Sequence, residues 1–345
     1  MGAKFKEINT LSFIGNIGPK AEKVWKEVDE EIDIVGCKDK FDRPCQLIAP
    51  LKLLERDLPG DGDTRQIPIF VNDDVRMELM HCRSAKGADG RRPAGFCETQ
   101  IQMQTKRITK TSEGDFELVE GDVLVVPPSI THENSGDGPT TRLIVYTRNT
   151  VDIALSYPVK QSVVPNKQCT LLKPTTVLDQ VEEGGSGGKH FELVENADIM
   201  IETTHRSDAQ RIYHRGFGQD EIAFQLSGRR ATCTNQGEYM LEIGDFLLIP
   251  PGTSHRNVGD MATIRIILYT RKPVRLADEF IHRAKRAGQP IICLSRLTAM
   301  YDNDVSSTED GVPERCWRPL QTLVLLHLRE MNRDSRTSQT TAQTA

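Results

Sequence analysis

The chain has 345 residues, of which 37% are hydrophobic and 27% are charged, and its formal net charge is −5. This length suits two ordinary domains, or one large domain with extensions. The pI is near 6.0 and no long basic run occurs, which argues against nucleic acid as the main partner. The N-terminus lacks a continuous apolar segment, and no stretch approaches the ~20 apolar residues of a membrane span. We therefore expect a soluble cytoplasmic protein with no membrane partner.

The first 70 residues are predicted to form an N-terminal extension with edge strands. Within it, the spacing of apolar residues predicts a helix over Lys20–Ile32. Residues 71–155 follow as short apolar or alternating runs separated by turn residues, which predicts a first small β-barrel.

Residues 156–190 are predicted to be a linker, because they are rich in loop-forming residues and contain the Gly-rich run Glu182–Gly188. A second β-barrel is predicted over 191–275. A C-terminal region, 276–345, should begin with a helix within Val274–Gly288 and end in a polar, disordered tail.

Eight cysteines are scattered along the chain, and none forms a Cys-x-x-Cys pair. A chain of this size does not need disulfides to supplement its core. We expect free thiols in a reducing compartment.

The two predicted barrels are copies of one unit. Residues 121–148 align without a gap on residues 244–271, and 15 of the 28 aligned positions are identical. In both copies a glutamate precedes a histidine by 34 residues, as Glu98 and His132 in the first copy and Glu221 and His255 in the second. Such a repeat indicates a duplicated structural unit of roughly 100 residues.

The repeated segment resembles a known family. The run from Gly244 through Asp245, Pro250 and Gly252 to His255 is similar to the second sequence motif of the cupin superfamily. Upstream, His214, Glu221 and Gly228 resemble the first motif, with Gly216 in place of its second histidine. The resemblance covers about 75–150 and 200–271. It implies an all-β protein of two tandem jelly-roll barrels with a few flanking helices.

The resemblance also implies a metal inside at least one barrel. Side chains alternate along a strand, so only one residue of the pair Asp220 and Glu221 can face that metal, and the repeat selects Glu221. The implied ligands are His214, Glu221 and His255. Two histidines and one carboxylate are the ligand set of non-haem Fe(II) oxygenases.

The first copy keeps Glu98 and His132, but Arg91 or Pro93 stands where the histidines of the first motif would be. Two ligands hold a divalent metal weakly, and a nearby arginine repels it. We expect a metal-free first barrel in which Glu98 and His132 are the degenerate counterpart of the metal site. They would then form a buried hydrogen-bonded pair.

Residues near the implied metal are candidates for substrate contact. Gln225 shares the strand face of Glu221, and Arg211 and Tyr269 lie on neighbouring segments, so we expect these three to contact substrate. His205 aligns with His81 in the repeat. We expect both to be structural, with His205 as an alternative fourth ligand.

The short sequence around Tyr213–Arg215 and the glutamate that follows it resemble homogentisate and gentisate dioxygenases. This implies a dioxygenase that uses Fe(II) and O2 on a small aromatic or enolic acid. One alternative is a non-redox isomerase, decarboxylase or hydrolase with Mn, Ni or Zn as a Lewis acid. Another is a metabolite-binding protein without catalysis. Because two-barrel members often pair their barrels between chains, a homodimer stays open.

Overall fold

The structure is a computed structural model. It describes residues 43–56, 58, 62–83, 95–136, 138–154, 157, 168–181, 188–206, 219–234, 237–253, 255–258, 262–289 and 291. Phe5–Asn9, Lys26–Ile32, Asp179, Tyr213–Arg215 and Ile292–Cys293 are described by their backbone alone.

Most described residues lie in antiparallel β-strands, as the alternating sequence patterns predict. Through the first barrel the strands are β1 Phe5–Asn9, β2 Lys26–Ile32, β3 Gln46–Ile48, β4 Thr64–Val71, β5 Val75–Cys82, β6 Cys97–Gln104, β7 Arg107–Thr111, β8 Gly114–Leu118, β9 Val123–Val126, β10 His132–Gly136, β11 Thr140–Thr147 and β12 Asp152–Ile153.

The second half of the chain repeats this succession. Its strands are β13 Thr170–Leu172, β14 Lys189–Glu195, β15 Ile199–Arg206, β16 Tyr213–Arg215, β17 Asp220–Ser227, β18 Arg230–Thr234, β19 Gly237–Leu241, β20 Phe246–Ile249, β21 His255–Val258, β22 Thr263–Thr270, β23 Arg275–Leu276 and β24 Ile292–Cys293. The helices are α1 Pro50–Glu55, α2 Pro174–Val177 and α3 Asp278–Arg286, and a 3-10 turn spans Leu178–Gln180.

Each barrel combines a large sheet with a small one. The large sheets have the orders β13-β9-β6-β11-β5-β4-β23 and β12-β14-β15-β22-β17-β20-β3-β24. The smaller sheets have the orders β10-β7-β8 in the first barrel and β19-β18-β21-β16-β1-β2 in the second, where β21-β18-β19 matches the sheet of the first barrel. These matching orders confirm the predicted all-β architecture of two tandem barrels.

The two repeats exchange their terminal strands. Strand β3 lies before the first barrel in sequence but pairs with β20 of the second, while β13 pairs with β9 of the first. Likewise β12 pairs with β14 and β23 pairs with β4. Each large sheet is therefore completed by strands of the other repeat, so the barrels are expected to fold as one unit.

The main apolar core lies between the two large sheets rather than inside the barrels. Phe224 and Phe246 of the second barrel stack with ring centroids 4.7 Å apart, and Phe246 lies 6.3 Å from Phe70 of the first barrel. All three rings are fully buried. The opposite face of each large sheet carries many buried polar residues, which is the arrangement expected for a barrel interior that binds a ligand.

The repeated Gly-Asp turn has a clear physical role. Gly244 has a φ of +86°, and a Cβ atom there would lie 2.6 Å from Cδ2 of Leu51 on α1. Only glycine combines this backbone conformation with so close an approach. Asp245 follows it, and its carboxylate accepts a hydrogen bond from the backbone N–H of Glu242 at 2.9 Å.

Two sequence predictions about helices have different outcomes. The helix within Val274–Gly288 is confirmed as α3. The helix predicted over Lys20–Ile32 is wrong for Lys26–Ile32, which is a strand paired with β1. Pairing in a sheet overrides a weak local helical preference. The polar tail at 332–345 lies outside the described residues.

The prediction of free thiols is confirmed for the described cysteines, none of which is in a disulfide. None of the described helices is long and apolar enough to span a bilayer.

Residues 168–181, which fall inside the predicted linker, also supply β13 and α2 to the first barrel.

Asp245 gives a test of the turn. Burial raises its pKa from 3.8 to about 6. The folded protein therefore binds more protons than the unfolded chain, and stability falls as the pH rises from about 4 to about 6. The loss is of the order of 3 kcal/mol. Asp245→Asn keeps an oxygen acceptor and removes the charge, so its free energy of unfolding should change less over this range. Denaturant unfolding at several pH values measures the difference.

Asp122, the counterpart in the first repeat, is the matched control. Its carboxylate lies 3.4 Å from the ammonium group of Lys173, so Asp122→Asn also removes an ion pair. It should therefore raise the free energy of unfolding near neutral pH by less than Asp245→Asn does. If the free energy of unfolding changed with pH in the same way for the wild-type protein and Asp245→Asn, this account of the turn would be contradicted.

Candidate metal centre

Glu221 and His255 meet inside the second barrel, although they come from different sheets. Glu221 lies on β17 of the large sheet and His255 begins β21 of the small sheet. Their side chains are buried, with Oε2 of Glu221 3.3 Å from Nε2 of His255. The sequence prediction that these two residues share one site agrees with this geometry.

The orientation of His255 is set by a backbone carbonyl. Its Nδ1 lies 3.2 Å from the carbonyl oxygen of Thr253. A carbonyl oxygen only accepts hydrogen bonds, so Nδ1 carries the proton and donates it. When the ring is neutral this leaves the lone pair on Nε2, the atom that faces Glu221, and when the ring is protonated the same atom donates to Glu221. A histidine that ligates a metal is commonly fixed by this kind of contact.

Glu221 is a buried carboxylate that stays charged. Burial alone would raise its pKa, but the charge and hydrogen bond of His255 and the charge of Arg265 outweigh it, and the pKa is lowered. Its Oε1 atom is buried and makes no hydrogen bond within the described part of the chain. A charged oxygen left in this state is costly unless a further group binds it.

His214 is described only by its backbone, which lies opposite His255 in the pairing of β16 with β21. The described side chains alone contain no group of three or more His, Cys, Asp or Glu residues that could hold a metal. The predicted ligand set of His214, Glu221 and His255 therefore stays a prediction.

Asp220 confirms the alternation argument that selected Glu221. Its carboxylate accepts a hydrogen bond from the backbone N–H of Val274 at 2.7 Å and pairs with Arg43. Asp220 therefore faces the opposite side of β17 from Glu221.

The three predicted substrate contacts have different surroundings. Tyr269 lies opposite Glu221 in the pairing of β17 with β22, and its hydroxyl donates to Oε1 of Glu202 at 3.2 Å. Gln225 is fully buried, and its amide donates to the carbonyl oxygen of Ser227 at 2.6 Å, which ties it to the end of the strand. Arg211 lies outside the described residues. A role in substrate binding stays a prediction for all three.

The alternative of His205 as a fourth ligand does not fit the strand. Glu202, on the same strand β15, reaches Tyr269 in the barrel interior. His205 is three residues further on, so it lies on the opposite face of β15. His205 is also only half-buried.

Glu98 and His132 are also brought together, but in the first barrel a glutamine side chain joins them. The amide nitrogen of Gln100 lies 2.7 Å from Oε1 of Glu98 and 3.1 Å from Nε2 of His132. An amide N–H only donates, so one side chain occupies both atoms that would face a metal.

Arg107 holds that glutamine in place. Its guanidinium donates to Oε1 of Gln100 at 2.5 Å and to the side-chain oxygen of Asn134. This network fits the expected metal-free pair in the first barrel. Gln100 and Arg107 therefore give a physical reason for a metal-free first barrel. Neither residue was a candidate in the sequence analysis.

Ala223 occupies the position of Gln100 in the second barrel. Both follow their glutamate by two residues, and both strands pair in the same way with the neighbouring strands. An alanine side chain ends at Cβ, so it cannot reach Glu221 or His255 as Gln100 reaches Glu98 and His132. The gap-free repeat alignment already contained this difference.

Sequence reasoning missed other residues of the second barrel. Cys45, buried beside Tyr239 and Thr253, comes from the segment before the exchanged strand β3. Glu202 was also missed, because the repeat marked the nearby His205 as the candidate on this strand. Arg265 is buried, and its guanidinium donates to the side-chain oxygen of Asn257 at 2.6 Å.

Comparisons with known proteins agree with this architecture. No protein-family profile and no curated protein matches the sequence. A cupin 2 conserved barrel domain protein from Leptotrichia buccalis is 8% identical with a TM-score of 0.50, covering 67% of this chain and 98% of its own. Salicylate 1,2-dioxygenase from Pseudoaminobacter salicylatoxidans, solved as adducts with gentisate, is 10% identical with a TM-score of 0.50, covering 68% of this chain and 85% of its own.

At these identities the likeness establishes the fold. The chain is a cupin-fold protein, and its two barrels make it a two-barrel member of that fold class. Fold alone does not define an activity, which has to be argued from the site.

The difference between Ala223 and Gln100 can be tested directly. Ala223→Gln should place an amide against Glu221 and His255, so metal affinity should fall at least about tenfold, the scale on which contacts around ligands tune it, and the purified variant should hold less metal than wild type. Ala223→Ser, which is too short to reach either atom, should keep wild-type metal content. Elemental analysis of the purified variants measures the effect, with circular dichroism to show that both are folded. A folded Ala223→Gln variant with full metal content would contradict the interpretation.

Proposed function

We propose that the second barrel binds one divalent metal through His214, Glu221 and His255, and that the protein is a metal-dependent cupin enzyme. The observation that carries the proposal is the buried Glu221–His255 pair with Nε2 of His255 facing the carboxylate. The unpartnered Oε1 of Glu221 is a further atom suited to a metal.

The donor chemistry fits Fe(II), with Mn, Ni and Zn as alternatives. Two imidazole nitrogens and one carboxylate oxygen leave coordination positions open, as in Fe(II) oxygenases. A bound Fe(II) would supply a site at which a chelating substrate and O2 react. We favour a dioxygenase that acts on a small aromatic or enolic acid, supported by the likeness in fold to a salicylate 1,2-dioxygenase solved with gentisate.

The chain's own residues would control protons and water around this centre. Burial raises the pKa of Tyr269 well above its usual value, and the charges of Glu202 and Glu221 add to the effect. The phenol therefore stays protonated at neutral pH and donates its proton to Glu202. Leu247 and Ile249 are buried near Ala223 and restrict water beside Glu221.

Metal content of paired histidine variants tests the proposal. Anaerobically purified wild-type protein should carry about one metal ion per chain, because three ligands in one barrel make one site. His255→Ala should lose it. His132→Ala, the matched change in the first barrel, should keep it. Elemental analysis gives all three values.

The identity of the metal and the need for O2 then separate the chemical classes. Iron together with O2 uptake on addition of an aromatic or enolic acid supports the dioxygenase. Manganese, nickel or zinc with oxygen-independent turnover would favour a non-redox enzyme. Wild-type protein that holds no metal and cannot be loaded with one would contradict metal-dependent catalysis and leave a metabolite-binding role.

A further inference from the structure

The two barrels contain equivalent asparagines, each of which accepts a hydrogen bond from a buried arginine. In the first barrel Asn134 accepts from Arg107 on β7. In the second barrel Asn257 accepts from Arg265 on β22 at 2.6 Å. A guanidinium group therefore lies beside the same asparagine position in both barrels, although it comes from different strands.

In the first barrel this guanidinium binds a planar group. Arg107 donates to the carboxamide oxygen of Gln100, whose nitrogen contacts Glu98 and His132. The carboxamide of Gln100 thus connects the arginine to the Glu–His pair. In the second barrel Ala223 stands at this position and supplies no such group.

Arg265 retains hydrogen-bonding capacity that the described residues do not use. It is buried, with a fractional exposure of 3%, and its Nε makes no hydrogen bond to any residue that the structure describes. Thr204 lies opposite Arg265 in the pairing of β15 with β22, and its hydroxyl is likewise buried without a partner among the described residues. Unused buried donors of this kind are open to a ligand or to an ordered water.

We infer that Arg265 anchors the carboxylate of a small organic acid in the second barrel, in the place that the Gln100 carboxamide takes in the first. A carboxylate is planar like a carboxamide, and it matches the donors of a guanidinium better than any neutral group. The inference rests on the proposed function, because it assigns the recognition of the substrate at the same site. It makes the substrate class a carboxylic acid and Arg265 the residue that selects it.

Binding of two acid probes to the purified protein tests the inference. Benzoate represents an aromatic acid and pyruvate an enolisable one, and benzyl alcohol is the neutral counterpart of benzoate. Titration calorimetry should show that at least one acid binds and that benzyl alcohol binds at least about tenfold more weakly, since a hydrogen bond to a charged group is worth at least that factor.

Arg265→Met should weaken binding of that acid at least about tenfold when the variant and the wild-type protein are compared at the same measured metal content. Arg142→Met changes the aligned arginine of the first barrel and should leave acid binding unchanged. Should Arg265→Met fail to fold, Arg265→Lys provides the second variant, because lysine keeps the charge but lacks the planar pair of donors, so acid binding should also weaken.

The outcomes separate the two proposals. A folded Arg265→Met variant that binds the acid as wild type does would overturn the carboxylate site, whatever its metal content. Wild-type protein that binds neither acid, or that binds inorganic phosphate in preference to both, would also overturn it. Weaker acid binding in Arg265→Met, in a protein that holds no metal, would support the carboxylate site and contradict the metal-dependent function.

Discussion

A carboxylate that is buried inside a barrel has to be neutralised or fully hydrogen-bonded, because an isolated charge there is too costly. Both barrels contain such a carboxylate, and they satisfy it differently. The first barrel uses a glutamine that is held by an arginine. The second barrel has an alanine at that position and leaves one oxygen of Glu221 without a partner among the described residues. The proposed metal would satisfy that oxygen.

The rest of the architecture keeps this interior polar. The large sheets turn their apolar faces toward each other, and the aromatic contacts among Phe70, Phe224 and Phe246 lie in that shared core. Stability therefore comes mainly from packing between the barrels, so their interiors are free to carry charged and hydrogen-bonding groups. The exchanged strands β3 and β13 connect the two halves further. This explains how a duplicated chain can retain a first barrel whose candidate ligands are already occupied by its own side chains.

Much of this fold could be predicted from the sequence, because a duplicated pattern of turns, strands and histidines leaves few alternatives. Glu221 and His255 could be paired because the repeat and strand alternation both select them. The strand exchange could not be predicted, since short edge strands such as Gln46–Ile48 carry too little pattern to show which sheet they join. The helix expected near Lys26 was wrong because pairing between distant segments decided the local structure. The alignment shows alanine at 223 where the first repeat has Gln100. Only the contacts of Gln100 in the structure show why this difference matters.

The central claim is that the repeats have diverged so that only the second barrel is a metal site. Anomalous diffraction from crystals grown anaerobically with Fe(II), recorded on both sides of the iron absorption edge, tests it most directly. The account predicts one iron peak per chain, within bonding distance of Glu221 and His255, and no peak near Glu98 and His132. A peak in the first barrel, or iron bound only at the protein surface, would contradict it.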